Sequence, residues 1–122
     1  MKILIVEDNP HNLKLFRVIV EAMGHQCLTA EDGEAGIAVA RQTIPDLILM
    51  DIQMPRLDGI SAVLRLRQED ATKAIPVIAL TSYAMKGDKE RFMKAGFNNY
   101  ISKPINKNYF VEMIQLYEPT GA

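Results

Sequence analysis

Short apolar runs recur along the chain at Ile3–Val6, Cys27–Ala30, Leu47–Met50, Val77–Leu80 and Tyr100–Ile101. The first four are mostly unbroken by polar residues, which suits parallel strands covered on both faces. The fifth is weak alone and is assigned from its place in the alternation. Helical patterns fill the gaps. Asn9 can cap a helix whose first position is Pro10, where the missing N–H costs nothing. Leu13, Phe16, Val20 and Met23 then share one face, and Gly24 ends the helix. Asp32 caps an alanine-rich second helix to about Gln42, and Asp58 caps a third with Ile60, Val63, Leu64 and Arg67 on one side. A fourth runs from about Met85 to Ala95 and stops at Gly96. Asn106 caps a fifth, with Tyr109, Phe110, Met113, Ile114 and Tyr117 as its inner stripe.

Strict alternation of five strands and five helices predicts an α/β fold: a parallel sheet with right-handed crossovers and helices on both faces. For five such units the expected order is the flavodoxin-like 2-1-3-4-5. A closed barrel would need eight units and about twice the chain. The 122 residues suit one domain, expected over 1–117, with 118–122 as a short tail holding Pro119 and Gly121.

Composition narrows the function classes. Apolar residues make up 48% and charged residues 24%, so the chain is neither disordered nor fibrous. Fourteen basic against fifteen acidic side chains give a net charge of −1, which argues against a nucleic-acid-binding domain. No apolar run approaches the ~20 residues of a membrane helix. Ile3–Val6 is followed at once by Glu7 and Asp8, too short and too acidic for a signal peptide. The single cysteine, Cys27, cannot form an internal disulfide, reads as a small core residue, and points to a reducing, cytoplasmic location.

In open α/β sheets the site lies beyond the carboxyl ends of the strands, near the point where strand order reverses. After the first strand come Glu7 and Asp8, after the third Asp51, after the fourth Thr81 and Ser82, and after the fifth Lys103 and Pro104. These strand ends are contiguous in the expected order, so three carboxylates, a hydroxyl and an ammonium converge. Carboxylates at 4 Å repel by ~1 kcal/mol per pair in water, and by more when desolvated. A hard divalent cation offsets this, and Mg2+ accepts one or two carboxylates, a carbonyl and several waters. One carboxylate could then attack a phosphoryl group whose charge the metal and Lys103 neutralise, with Thr81 donating its hydroxyl. Taken singly, each residue has a plainer reading. Asp8 suits a loop beside a helix N-terminus, Asp51 a turn, Glu7 and Lys103 a solvated surface, Thr81 a β-branched strand end and Pro104 a turn. Joint placement at neighbouring strand ends is what favours the site.

These residues closely resemble the receiver domain of two-component response regulators, from about Lys2 to Tyr117. Ile3-Leu4-Ile5-Val6-Glu7-Asp8-Asn9 resembles the family's first strand and acidic pocket. Leu47 to Pro55 resembles the phosphorylation segment, and Leu57-Asp58-Gly59 the turn into the third helix. Ile78 to Ser82 and Tyr100 to Pro104 complete the set, with Thr81 and Lys103 lying 30 and 52 positions after Asp51. The resemblance implies a CheY-like fold with Asp51 as phosphate acceptor. Glu7, Asp8, Asp51 and the backbone carbonyl of Gln53 would hold Mg2+, with Mn2+ as a substitute. Lys103 would pair with the phosphoryl group, Thr81 would move toward it, and Tyr100 would turn inward with Thr81. The Lys103–Pro104 bond would be cis, and Gln53 and Tyr83 would tune the lifetime of the mark.

The implied partners are a histidine kinase or histidine phosphotransfer protein, meeting the first helix where His11, Lys14 and Arg17 face outward. A downstream protein target would meet the fourth helix, fifth strand and fifth helix, with Met85 and Met93 as candidate groove residues. The chain resembles a stand-alone, DivK-like regulator, although a receiver excised from a hybrid histidine kinase would look the same. Two other readings compete. A small aspartyl-phosphate phosphatase would want an acid two residues past its nucleophile, where this chain has Gln53. A flavin or nucleotide carrier would want a Gly-rich loop after the first strand, and none is present.

Overall fold

The computed structural model of the chain describes residues 1–54, 57–82 and 86–119. Along the chain run β1 (Lys2–Val6), α1 (Pro10–Ala22), β2 (Gln26–Ala30), α2 (Gly33–Thr43), β3 (Leu47–Asp51), α3 (Gly59–Gln68), β4 (Val77–Thr81), α4 (Lys86–Ala95), β5 (Asn99–Ser102) and α5 (Lys107–Gln115). The strands form one parallel sheet in the order β2-β1-β3-β4-β5, with five helices connecting and following them.

Local chemistry starts the helices where the sequence indicates. Asn9 Oδ1 accepts from the N–H groups of His11 and Asn12, at 2.9 and 3.1 Å. Asp32, Asp58 and Asn106 accept from Ala35, Ser61 and Tyr109 at the starts of α2, α3 and α5. Each bond satisfies a backbone donor that the first helical turn leaves without a partner.

Alternation along the strands splits the core in two. Leu4, Val6, Ile48, Met50, Val77 and Ala79 pack with Ile37 of α2, Ala62, Val63 and Leu66 of α3, and Phe92 of α4. Ile3, Ile5, Leu47, Leu49, Ile78 and Leu80 pack with Phe16, Ile19 and Val20 of α1 and Phe110, Met113 and Ile114 of α5. Phe16 and Phe110 join those helices with ring centroids 5.4 Å apart.

Three expectations are corrected by this packing. β1, β3 and β4 are buried on both faces as expected, but β2, expected to be covered like them, is only partly buried, as is β5, because among the described residues neither edge strand has a neighbour on its outer side. The inner face of α3 is Gly59, Ala62, Val63 and Leu66, whereas Leu64 is 45% exposed. Gly59 and Ala62 let the start of α3 lie close to the sheet, and Val63 and Leu66 complete the buried stripe one side round from the expected one. On α5, Phe110, Met113 and Ile114 are buried, Tyr117 is partly buried, and Tyr109 is 47% exposed. The expected start of α4 at Met85 lies outside the described residues.

Met1 and Glu118 both meet His25, just before β2. The Met1 ammonium donates to His25 Nδ1 at 2.8 Å, and Nε2 lies 2.8 Å from Glu118 Oε1. Ammonium groups only donate and carboxylates only accept, so His25 is held as the Nε2–H tautomer, accepting at Nδ1 and donating from Nε2. Glu118 is thereby fastened to the fold. Cys27 is half-buried on β2, and desolvation pushes its thiol up to about 11, which suits a packing residue.

Candidate functional site

The sheet ladder continues past the strand ends and fixes the residues that follow them. The Glu7 N–H donates to the Ala30 carbonyl at 3.0 Å, Ile52 to Leu80 at 3.0 Å, and Lys103 to Thr81 at 2.7 Å. Glu7, Asp51 and Lys103 are thus set by backbone bonds to neighbouring strands, not by loop conformation. The Lys103–Pro104 peptide is cis.

At this edge one oxygen each from Glu7, Asp8 and Asp51 lie within 4.8 Å of one another. Glu7 and Asp51 are buried and Asp8 is exposed. Lys103 Nζ donates to Asp51 Oδ2 at 3.0 Å and to Glu7 Oε1 at 3.1 Å. The Gln53 N–H donates to Asp51 Oδ1 at 3.0 Å, while the Gln53 side chain is exposed. Thr81 is buried at the end of β4. Residue pairs Ala79–Tyr100 and Thr81–Ser102 are in register, so alternation places Thr81 and Tyr100 on the same sheet face. Tyr100 is partly buried against the core of that face, and Lys89 Nζ lies 5.9 Å from its ring centroid. Tyr83 lies outside the described residues.

Electrostatics of the cluster are unbalanced. Desolvation pushes the Glu7 carboxyl up to about 7, and Asp51 pushes it the same way, while Asn12 and Lys103 oppose. For Lys103, burial disfavours the ammonium, but hydrogen bonds and charges from Asp51 and Glu7 outweigh it and hold the group above the ordinary lysine value. Glu7 Oε2 is the buried side-chain polar atom without a hydrogen-bond partner among the described residues. Three clustered carboxylates, two of them paired with Lys103, and a buried carboxylate oxygen without a partner among the described residues make a donor set that fits a hard divalent cation.

Two participants were not singled out from the sequence. Asn12 Nδ2 donates to Glu7 Oε1 at 2.9 Å. Its signal was slight, an asparagine in the first turn of a helix already capped by Asn9. The sequence placed Gly59 only in the turn into the third helix, yet a β-carbon there would collide with the Asp51 carbonyl oxygen and sit 2.9 Å from Ile52 Cα. Its N–H also donates to the Ile52 carbonyl at 3.0 Å. Gly59 therefore lets the start of α3 press against the backbone that carries Asp51. His11, Lys14 and Arg17 are exposed on α1, as expected. A groove runs from His11, Asn12 and Leu15 of α1 across to Ser82, Lys103 and Ile105.

Comparison with known proteins is consistent with this geometry. Residues 3–115 match the model of the response regulator receiver domain. The polar-differentiation response regulator DivK of Brucella anthropi is 46% identical over 115 residues, covering 94% of each chain. Among solved structures, the receiver domain of sensor histidine kinase PA1611 from Pseudomonas aeruginosa, with a magnesium ion coordinated in its active site cleft, is 34% identical. It has a TM-score of 0.88 and covers 95% of both chains. Vibrio cholerae chemotaxis response regulator CheY4 superposes with a TM-score of 0.91 at 25% identity, covering 96% of this chain and 98% of that one.

Proposed function

Because this chain belongs to the response regulator receiver family of two-component signalling, we propose that it is a phosphoacceptor switch in which Asp51 reversibly takes up a phosphoryl group. The observation that carries this reading is the contact of Lys103 Nζ with Asp51 Oδ2 at 3.0 Å, beside the Glu7–Asp8–Asp51 cluster. The donor is a phosphohistidine on a histidine kinase or phosphotransfer protein. An Asp51 carboxylate oxygen attacks phosphorus, a new O–P bond forms, and the P–N bond breaks with its electron pair returning to the imidazole. Lys103 moves its hydrogen bond to the incoming phosphoryl oxygens, and the Thr81 hydroxyl donates to another of them. Mg2+, or Mn2+ in its place, would be held by Glu7, Asp8, Asp51 and the Gln53 carbonyl, and when bound it supplies neutralisation of the charge on the transferring group.

Output follows from the switch. Thr81 and Tyr100 share a sheet face, so movement of Thr81 toward the phosphoryl group opens room for Tyr100 to turn inward. That changes the surface of α4, β5 and α5, where a downstream protein binds. Kinase or phosphotransfer partner contacts use α1, with His11, Lys14 and Arg17 outward. Among the described residues no helix is long and apolar enough to cross a membrane.

Incubation with acetyl phosphate and Mg2+, followed by intact mass, tests the reading. The expected result is a stoichiometric gain of one phosphoryl group, absent in Asp51→Asn. A chain that stays unmodified overturns it, and catalytic turnover of an unrelated phosphate ester would instead favour a phosphatase.

A further inference from the structure

We infer that Asn12 is a positioning residue for the cation site: its amide and Lys103 together hold Glu7 Oε1, which leaves Oε2 aimed as the metal-binding oxygen. The inference rests on the cation site proposed above and concerns how Glu7 is presented within it. Oε1 accepts two hydrogen bonds, from Asn12 Nδ2 at 2.9 Å and Lys103 Nζ at 3.1 Å. Oε2 is buried and accepts none among the described residues. The two oxygens of one carboxylate are thus sorted into a held atom and a presented atom.

Local structure explains why residue 12 reaches back to residue 7. Asn12 lies in the first turn of α1, and its own N–H is gripped by Asn9 Oδ1 at 3.1 Å. Helical side chains lean toward the helix N-terminus, here toward the carboxyl end of β1. A carboxylate that holds a cation is ionised and only accepts, so the amide presents its nitrogen and not its oxygen. Lysine alone would not fix the carboxylate in this way, because its ammonium is shared with Asp51 and moves to the phosphoryl group during transfer. Asn12 is neutral, so it orients Glu7 without neutralising the charge that the cation requires. Outer donors of this kind typically alter metal affinity by about 10- to 100-fold when removed.

Calorimetric titration of the unphosphorylated protein with Mg2+ tests this in the full chain. Asn12→Leu keeps the side-chain volume and removes the donor, Asn12→Ala removes both, and Asn12→Gln keeps an amide. The dissociation constant is expected to rise at least about tenfold in both Asn12→Leu and Asn12→Ala, and to recover in part in Asn12→Gln. Phosphorylation by acetyl phosphate should need a correspondingly higher Mg2+ concentration for half its maximal rate in Asn12→Leu, because the cost is in holding the cation. Acetyl phosphate needs no docking on α1, so loss of a protein contact cannot imitate the effect. A parent protein that binds Mg2+ while Asn12→Leu binds it within twofold overturns the inference and leaves the proposed function standing. A parent that neither binds Mg2+ nor accepts a phosphoryl group overturns both.

Discussion

Glu7 is the residue on which the site's charge balance turns. Its carboxyl is buried beside Asp51 and pushed up to about 7, so without a cation the folded protein holds a proton there that the unfolded chain releases near 4.5. The native state then binds more protons than the unfolded state between those values, and stability falls as the pH rises through that window. Glu7→Gln has no such proton to lose. In a chelator, the thermal midpoint of the parent is therefore expected to drop relative to Glu7→Gln as the pH goes from 5 to 7.5. Equal slopes for the two proteins across that range would contradict the assignment. At this scale the placement of Glu7, Asp8, Asp51, Thr81 and Lys103 at strand ends was legible, because each lies one or two residues past an apolar run. Asn12 was not, because its role depends on a contact with Glu7 that helix periodicity does not encode.

Among the elements, α3 shows how packing departs from pattern. Helical spacing puts Ile60, Val63, Leu64 and Arg67 on one side, but the buried stripe runs through Gly59, Ala62, Val63 and Leu66, which brings its start against the Asp51 backbone. Arg67, expected on the same side as Ile60 and Val63, instead directs its guanidinium at turns. Nε and Nη2 donate to the Gly96 carbonyl at 3.0 and 2.8 Å, Nη1 to Ile75 at 2.7 Å and Lys73 at 3.1 Å, and Nη2 also to Asn98 Oδ1 at 2.8 Å. One side chain thus ties the end of α3 to the segment before β4 and to the turn between α4 and β5. Burial lowers its pKa, as expected for a cation whose partners are mainly carbonyls. Arg67→Ala strands those carbonyls, and a loss of about 2 kcal/mol is expected in urea unfolding. Arg67→Lys should recover little, because an ammonium cannot present the same planar set of donors. A midpoint unchanged in Arg67→Ala would refute the clamp.

For the whole molecule, the parallel sheet gathers side chains from β1, β3, β4 and β5 at one edge and packs two separate cores behind them. The folded state assembles the acidic cluster and the unfolded chain disperses it, so Mg2+ should stabilise the fold by mass action. At 100 times its dissociation constant the gain is about 2.7 kcal/mol. Thermal melting with and without a chelator should show this rise in the parent and a reduced rise in Asp51→Asn. No response to Mg2+ in the parent would remove the case for a metal at this cluster.

The sequence by itself determined the alternation of elements, the sheet order, the helix caps and the strand-end residues, because strand runs, capping side chains and crossover handedness are local or nearly local rules. Tertiary structure decided which face each helix buries, that β2 and β5 are only half covered, why Gly59 has no side chain, and that Asn12 and Lys103 share one oxygen of Glu7 while the other has no partner among the described residues. Those outcomes depend on distances between atoms far apart in the chain, and the spacing of residues along a sequence does not contain them.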